Sequence, residues 1–286
     1  AFAGAMSVSG SAKITHASAD ETEVQGNSFS NSKGLSFSGS GELDNGWTVS
    51  TTYSMTNAAF STSQVTIDMG DQGTVGLWNN ASGAGINKYQ DMMPTAGEQV
   101  WDDSDTDDNG IVAHENENML GYNGSFGGIG LSLAYVNGGA GGKDGGASDS
   151  SWVVTYDGLM DGLSLGVGQG ENGTTSDLST AYAKYTAGSI TVGYQFSEIE
   201  NAQGTADEES RHLAASIAVN ENLSVSAGRF EVDMGAGTVD EESTGFSASY
   251  TMGSSTIGFV ANSTENVAGT ANSDDSYREI SVSFAF

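Results

Sequence analysis

The stretch MSVSGSAKIT (residues 6–15) alternates apolar and polar side chains with a period of two. Met6, Val8 and Ile14 fall on one side of an extended chain, whereas the serine, lysine and threonine side chains fall on the other. Successive side chains of a β-strand point to opposite faces of its sheet. The stretch therefore predicts a strand with one apolar face and one polar face.

The same alternation recurs along the rest of the chain in stretches of about eight to twelve residues. Examples are GLSFSGSGEL (34–43), WTVSTTYSM (47–55) and ITVGYQFS (190–197). We count sixteen strand candidates, and their polar faces consist mostly of Ser, Thr, Gly and Asn. The sequence therefore predicts an all-β fold.

The connections between the strand candidates alternate between short and long. The turn Asp44-Asn45-Gly46 supplies the positive backbone angles of a tight hairpin, and six more short turns follow it. The eight longer segments would then all lie at one end of the structure. They are expected at residues 17–31, 57–62, 80–114, 138–148, 170–177, 199–209, 233–242 and 264–275.

An even number of antiparallel strands, with short turns at one end and long loops at the other, is the form of a bacterial outer-membrane barrel. The longest of the expected loops, residues 80–114, lies between the fifth and sixth strand candidates. We call it the third long loop. We predict that residues 1–286 form a single domain, a 16-stranded antiparallel transmembrane β-barrel.

Composition limits the possible functions. The chain has 286 residues, with 37 acidic and 8 basic side chains, a formal net charge of -29 and no cysteine. This balance excludes electrostatic binding of nucleic acid, which needs Lys and Arg, and the missing cysteines exclude a disulfide scaffold. Acidic excess suits cation attraction or calcium binding. No apolar run is long enough for a transmembrane helix, but strands of about ten residues can cross lipid in a barrel.

A soluble all-β fold, such as an acidic secreted calcium-binding β-protein or adhesin, is the alternative. In such a fold, short and long connections would not be expected to alternate regularly. A solenoid would show a fixed sequence period, which the chain lacks. Aromatic residues such as Tyr53, Tyr156 and Phe284 share the apolar parity, and several lie near strand ends, where interfacial girdles belong. A polar lumen inside a lipid-facing exterior explains this parity better.

Three stretches resemble the trimeric general porins of Gram-negative bacteria, most closely those of the alphaproteobacteria. VTIDMGDQGTVGLWN (65–79) is similar to the fourth strand, turn and fifth strand of that family, and MLGYNGSFGGIGLSLAYVNG (119–138) is similar to its sixth and seventh strands. YREISVSFAF (277–286) resembles the terminal strand with its final aromatic residue.

The resemblance implies a homotrimer in the bacterial outer membrane, in contact with lipid and lipopolysaccharide. It also implies a water-filled channel for passive diffusion of small hydrophilic solutes. We expect no enzymatic activity and no required cofactor. A substrate-selective channel of the same fold is the alternative within the family.

The resemblance further implies that the third long loop folds into the lumen and narrows the pore. Carboxylates in a narrow passage attract cations and repel anions, so we expect a preference for cations. The family sets a basic cluster opposite the loop, whereas the basic residues of this chain are scattered, and only Lys13 and Lys184 have inward parity on strands. The predicted constriction residues are Asp91, Glu98, Asp102, Asp103, Asp105, Asp107, Asp108, Lys13 and Lys184.

The loop also contains a possible calcium site. Asp103, Asp105 and Asp107 repeat at the spacing of the first ligands of a calcium-binding loop. Asp108, however, stands where such a loop needs glycine, and no glutamate follows at the required distance. A specific Ca²⁺ site and a solvated acidic loop both remain open at this point.

Catalysis has little support in the sequence. His16, His114 and His212 have no partners at nucleophile or zinc spacing. We expect His16 and His212 at strand ends near the barrel rim. No catalytic residue is predicted.

Overall fold

The computed structural model describes residue 4 and residues 6–19, 28–101, 110–138, 147–173, 175–201, 206–235 and 238–286. The first eight strands are β1 (Met6–Ala19), β2 (Phe29–Glu42), β3 (Thr48–Thr56), β4 (Ala59–Asp68), β5 (Thr74–Asn79), β6 (Met119–Phe126), β7 (Ile129–Val136) and β8 (Asp149–Tyr156). The others are β9 (Leu163–Asn172), β10 (Ser176–Ala187), β11 (Ile190–Asn201), β12 (Glu208–Ala218), β13 (Leu223–Asp233), β14 (Glu241–Met252), β15 (Ser255–Glu265) and β16 (Asp275–Ala285).

The sixteen strands form one closed antiparallel barrel, which confirms the predicted fold. Each strand pairs with its neighbours in the sequence, and β1 closes the barrel by pairing with β16. Short 3₁₀ helices at Gly70–Gln72, Ile86–Tyr89 and Val267–Gly269 are the helical segments of the described residues. None of these helices has the length and apolarity that crossing a membrane requires.

The two faces of the barrel follow the alternation of the sequence. On the closing seam, Thr15 and Ser281 are paired and buried on the inner face, whereas Ile14 and Val282 are paired on the outer face, where Ile14 is 52% exposed. The outer face also exposes many aromatic side chains, a surface that lipid solvates and water does not. They include Tyr53, Phe126, Tyr135, Tyr156, Tyr185, Tyr194, Phe246, Tyr250, Phe259 and Phe284.

Two of the expected long connections are short, so those two predictions were wrong. β3 and β4 are joined by Asn57-Ala58, where Asn57 adopts a φ of 55° and a register shift follows Ser54. β9 and β10 are joined by residues 173–175 alone. Polar side chains do not end a strand, because its pairing depends on backbone hydrogen bonds. The strands therefore continue through segments whose composition is typical of loops.

Candidate functional site

The third long loop, which the structure extends to residue 118, lies inside the barrel in its described parts, residues 80–101 and 110–118. Its backbone amides donate hydrogen bonds to inward-facing side chains of the wall. Gly85 N donates to Ser132 Oγ at 2.8 Å on β7, and Met92 N donates to Gln195 Oε1 at 2.8 Å on β11. Further along, Asn262 on β15 donates through Nδ2 to the loop at 3.0 Å. The loop therefore follows the inner wall from β7 to β15.

Inward-facing glycines leave room for the loop along this path. A Cβ atom at Gly121 would lie 2.3 Å from the Cβ of Ala84, and one at Gly193 would lie 2.8 Å from Cδ of Pro94. Such contacts are too close for a packed interior. The absence of side chains at these positions is what allows the loop backbone to approach the wall.

An apolar cluster fastens the middle of the loop to β12 and β13. The ring of Trp101 lies 5.0 Å from that of Phe230 and 4.7 Å from that of His212. Met93 and Val100 complete the loop side of the cluster. Burial of apolar side chains is the main favourable contribution to packing, so this contact holds the loop to one side of the lumen.

His212 is fully buried beneath the loop. The expectation that it lies at the barrel rim was therefore wrong. His212 faces inward on β12, and the loop covers that part of the wall, which the local sequence of β12 does not indicate.

The return of the loop is anchored at His114. The side chain of Asn87 donates to His114 O at 2.7 Å and accepts from His114 N at 2.9 Å. His114 Nδ1 lies 2.7 Å from Glu115 O and its Nε2 lies 2.7 Å from Ser151 Oγ. Nδ1 therefore donates to the carbonyl, and Nε2 accepts from the serine hydroxyl.

This histidine–serine pair anchors the loop and is buried away from solvent. Ser151 Oγ also accepts from Ile86 N at 2.9 Å, and both Ser151 and His114 are only 6% exposed. Burial lowers the pKa of His114, and the Glu115 carbonyl and the charges of Asp149 and Glu115 oppose this only in part. A neutral imidazole is the form that fits its hydrogen bonds.

The tip of the loop is bound by charge at the closing seam of the barrel. Lys13 on β1 donates through Nζ to Glu98 Oε1 on the loop at 2.7 Å. The same Nζ lies 2.7 Å from Glu279 Oε1 on β16. The side chains of Lys13 and Glu98 are 31% and 29% exposed, whereas that of Glu279 is 6% exposed. One ammonium is thus held between two carboxylates.

The wall that faces the loop is formed by β2, β3 and β4. None of the residues in these three strands is buried, in contrast to the inner faces that the loop covers. Ser36 bonds to Ser54 through their hydroxyls, and Ser38 Oγ lies 3.3 Å from Thr52 Oγ1. The inward positions of these strands carry no lysine or arginine. The open passage therefore lies between the loop and a hydroxyl-lined wall.

The family model described as Gram-negative porin matches residues 1–286. The chain belongs to the Gram-negative porin family. A mutant of Rhodobacter blastica porin has the same fold, with a TM-score of 0.72 and 16% identity over 99% of this chain and 100% of that one. The anion-selective porin from Comamonas acidovorans has a TM-score of 0.73 and 15% identity over the same shares. No curated protein matches the chain.

Family and fold place this porin in the bacterial outer membrane, as a channel for solute diffusion. The exposed aromatic residues of the outer face then contact lipid and its headgroup region. The inner face, with its loop and hydroxyl wall, is the surface that solutes meet.

The predicted constriction residues have different positions in this porin. Glu98 and Lys13 are brought together at the closing seam, as described above. Asp91 instead accepts hydrogen bonds inside the loop, from Met93 N at 2.9 Å and from Gln99 Nε2 at 2.7 Å. Lys184 faces inward and is half-buried on β10, apart from this cluster. Asp102, Asp103, Asp105, Asp107 and Asp108 lie outside the described residues.

The calcium prediction falls in the same segment, since Asp103, Asp105 and Asp107 lie outside the described residues. In the rest of the chain, as far as the structure describes it, no group of three or more His, Cys, Asp or Glu residues could hold a metal ion.

Glu279 and Lys88 are charged residues of the lumen that were missed as site residues. Glu279 has inward parity in YREISVSFAF, which was the available signal, but its distance in sequence from the loop concealed its role. Lys88 donates through Nζ to Asn123 Oδ1 on β6 at 3.0 Å, and burial lowers its pKa. Lys88 therefore faces β6 and not the acidic tip of the loop.

Four other basic residues face outward, on the parity of the lipid-exposed side chains: Lys33, Arg211, Arg229 and Arg278. Arg211 pairs with Glu209 at 2.9 Å and with Glu231 at 3.2 Å. Arg229 also binds Glu231, at 3.0 Å. These basic side chains lie on the outer surface and do not line the passage.

Proposed function

We propose that this porin is a cation-preferring channel for passive diffusion of small hydrophilic solutes. The observation that carries the proposal is the position of Lys13 between Glu98 and Glu279. Lys13 is the inward-facing cation beside the loop tip, and two carboxylates hold it. The cluster therefore keeps one negative charge, which attracts cations and repels anions in a narrow passage.

The wall opposite the loop supports the same proposal. Hydroxyl groups of Ser36, Ser38 and Thr52 offer hydrogen bonds to a polar solute without selecting the sign of its charge. Because this wall carries no lysine or arginine, the electric field across the passage is weak. Small neutral solutes can therefore pass without aligning their dipoles with that field.

The acidic segment of the loop would strengthen the preference. We propose that Asp102, Asp103, Asp105, Asp107 and Asp108 line the constriction and add to the charge of Glu98, and that Lys184 opposes them weakly from β10. The anion selectivity of the Comamonas acidovorans porin belongs to that protein, which is only 15% identical to this chain. The arrangement of charges in each lumen, and not the shared fold, sets the sign of selectivity.

We also propose a homotrimer with the early strands and the last strand at the interface, and lipopolysaccharide as the lipid around the loop end. The family resemblance supports both. Chemical cross-linking in detergent, followed by mass measurement, tests the trimer.

The test of the channel is the reversal potential of the purified protein in a planar lipid bilayer under a salt gradient. The wild type is expected to show a cation-selective potential. A variant with Asn at Asp102, Asp103, Asp105, Asp107 and Asp108 is expected to lose part of it. A control with Asn at Asp71, Asp157 and Asp161, which removes three carboxylates from the short turns, should keep the wild-type value. An anion-selective or non-conducting wild type would refute the proposal.

A further inference from the structure

The closing seam of the barrel carries a charge cluster made by three distant parts of the chain. Lys13 comes from β1, Glu279 from β16 and Glu98 from the tip of the third long loop. Of the two carboxylates, only Glu98 was expected at the constriction. The function of Glu279 is therefore open.

We propose that Glu279 is a specificity-determining residue of the channel. It cancels the charge of Lys13, so that the charge of Glu98 at the loop tip is left to act on the passing ion. The inference rests on the proposed cation preference and names the residue on the barrel wall that maintains it. Without Glu279, the remaining pair of Lys13 and Glu98 would sum to zero charge.

The geometry gives Glu279 a fixed position. Its side chain is 6% exposed, and its Oε2 accepts a hydrogen bond from Tyr277 Oη on the same strand at 3.1 Å. In the β1–β16 register Glu279 is paired with Ala17, while Lys13 is paired with Ser283. The ammonium of Lys13 therefore reaches along the seam to meet Glu279. A carboxylate placed this way compensates the lysine wherever the loop tip lies.

The cluster is accessible to a permeating ion. A cavity of about 230 Å³ lies beside it, lined by Ala96 and Gly97 of the loop and by the hydroxyl-bearing residues Ser249, Ser281 and Ser283. With roughly 30 Å³ for each water molecule, such a space can contain a small hydrated ion. An ion in this cavity would lie close enough to the cluster for one unit charge to change the electrostatic energy of the ion, because the passage is narrow and its walls have a low dielectric constant.

Two roles for Glu279 can be separated. If it acts through its own charge, its removal lowers cation preference whether or not Lys13 is present. If it only holds Lys13 in place, its removal has no effect once Lys13 is gone. The comparison therefore needs Glu279→Gln, Lys13→Met and the double variant.

The experiment measures the cation-to-anion permeability ratio from reversal potentials of single channels in a planar bilayer. We expect Glu279→Gln to lower the ratio by about threefold, Lys13→Met to raise it by a similar factor, and Glu279→Gln to lower it again in the Lys13→Met background. Glu279→Asp should restore most of the wild-type ratio. Glu265→Gln, which removes the same charge from the outer face of β15, is the matched control and should change nothing.

The outcomes distinguish this inference from the proposed function. A cation-selective wild type with no change in Glu279→Gln would overturn the inference and leave the proposed function standing. Loss of the effect in the Lys13→Met background would also overturn it, because Glu279 would then act only by holding Lys13. A wild type without cation preference would refute the proposed function itself. The double variant leaves no unpaired lysine, so it tests the inference even if Glu279→Gln alone fails to fold.

Discussion

The ring of Trp101 lies 5.0 Å from the ring of Phe230, and this contact joins the third long loop to β13 inside the barrel. Trp101 is 6% exposed and Phe230 is fully buried. A loop held by a contact of this kind keeps one position, because removal of an aromatic ring would leave a cavity or expose apolar surface.

Replacement of Trp101 by alanine should release the loop. We expect a loss of about 3 kcal/mol in the free energy that holds the loop against the wall, as for other buried aromatic side chains. Single-channel recording should then show a higher conductance with more frequent fluctuations. Trp152→Ala, on the outer face of β8, is the control and should leave conductance unchanged. If the Trp101→Ala variant conducted like the wild type, the apolar cluster would not be what positions the loop.

Acidification should weaken the anchor at His114. Burial lowers the pKa of His114 in the folded protein below its ordinary value of 6.5, so folding favours the neutral form. This contribution to stability is complete above pH 6.5 and is lost progressively as the pH falls from 6.5 toward the lower folded pKa, because the unfolded state then binds the proton first.

The measurement is urea unfolding in detergent as a function of pH, compared between the wild type and His114→Gln. Many carboxylates also titrate, so the informative quantity is the difference in the free energy of unfolding between the wild type and His114→Gln. This difference should become smaller as the pH falls below 6.5. His16→Gln, at an exposed outward position, should run parallel to the wild type. A pH-independent difference for His114→Gln would contradict the prediction.

A side chain at Gly193 should displace the loop from β11. The Cβ of an alanine there would lie 2.8 Å from Pro94 Cδ and 3.0 Å from Met93 Cε. We expect Gly193→Val to destabilise loop docking by about 1–3 kcal/mol, as other overpacked sites do, and to change conductance. In Gly34→Ala the nearest atom is the rotatable hydroxyl of Ser11. That variant should conduct like the wild type, whereas equal behaviour of both glycine variants would argue against the close approach.

Calcium should reduce the cation preference if the aspartates of the loop form a site. Ca²⁺ bound by Asp103, Asp105 and Asp107 would neutralise part of the charge of the loop. We expect the permeability ratio of the wild type to fall on addition of Ca²⁺ at constant ionic strength. The variant with Asn at these three positions should not respond. Mg²⁺ at the same concentration controls for simple screening, and an equal response to both ions would favour a solvated acidic loop.

The barrel could be predicted because its signal is local. Each strand shows its two faces in consecutive residues, as in MSVSGSAKIT, and the side chain period of two needs no knowledge of partners. The number of strands and the inward positions of Lys13 and Lys184 followed from this pattern. Two loop boundaries did not, because polar residues near the rim continue the backbone pairing of β3, β4, β9 and β10.

The site could be predicted only in part. Acidic composition and the length of the third long loop pointed to Glu98, but its partner Lys13 is 85 residues away in the sequence. Asp91 has the same charge and lies in the same loop, yet it bonds within the loop. Composition cannot distinguish these two carboxylates, because the difference lies in where the folded loop carries them.

The sequence by itself determined the alternation that makes a polar lumen and a lipid-facing exterior, and the acidic balance of the chain. Only the tertiary structure decided which wall the loop covers, which wall remains open, and that Lys13 is compensated by Glu279. The physical reason is the separation in sequence between the residues on which each property depends. A strand face depends on adjacent residues, whereas the charge of the passage depends on side chains that closure of β1 against β16 brings within 2.7 Å of one another.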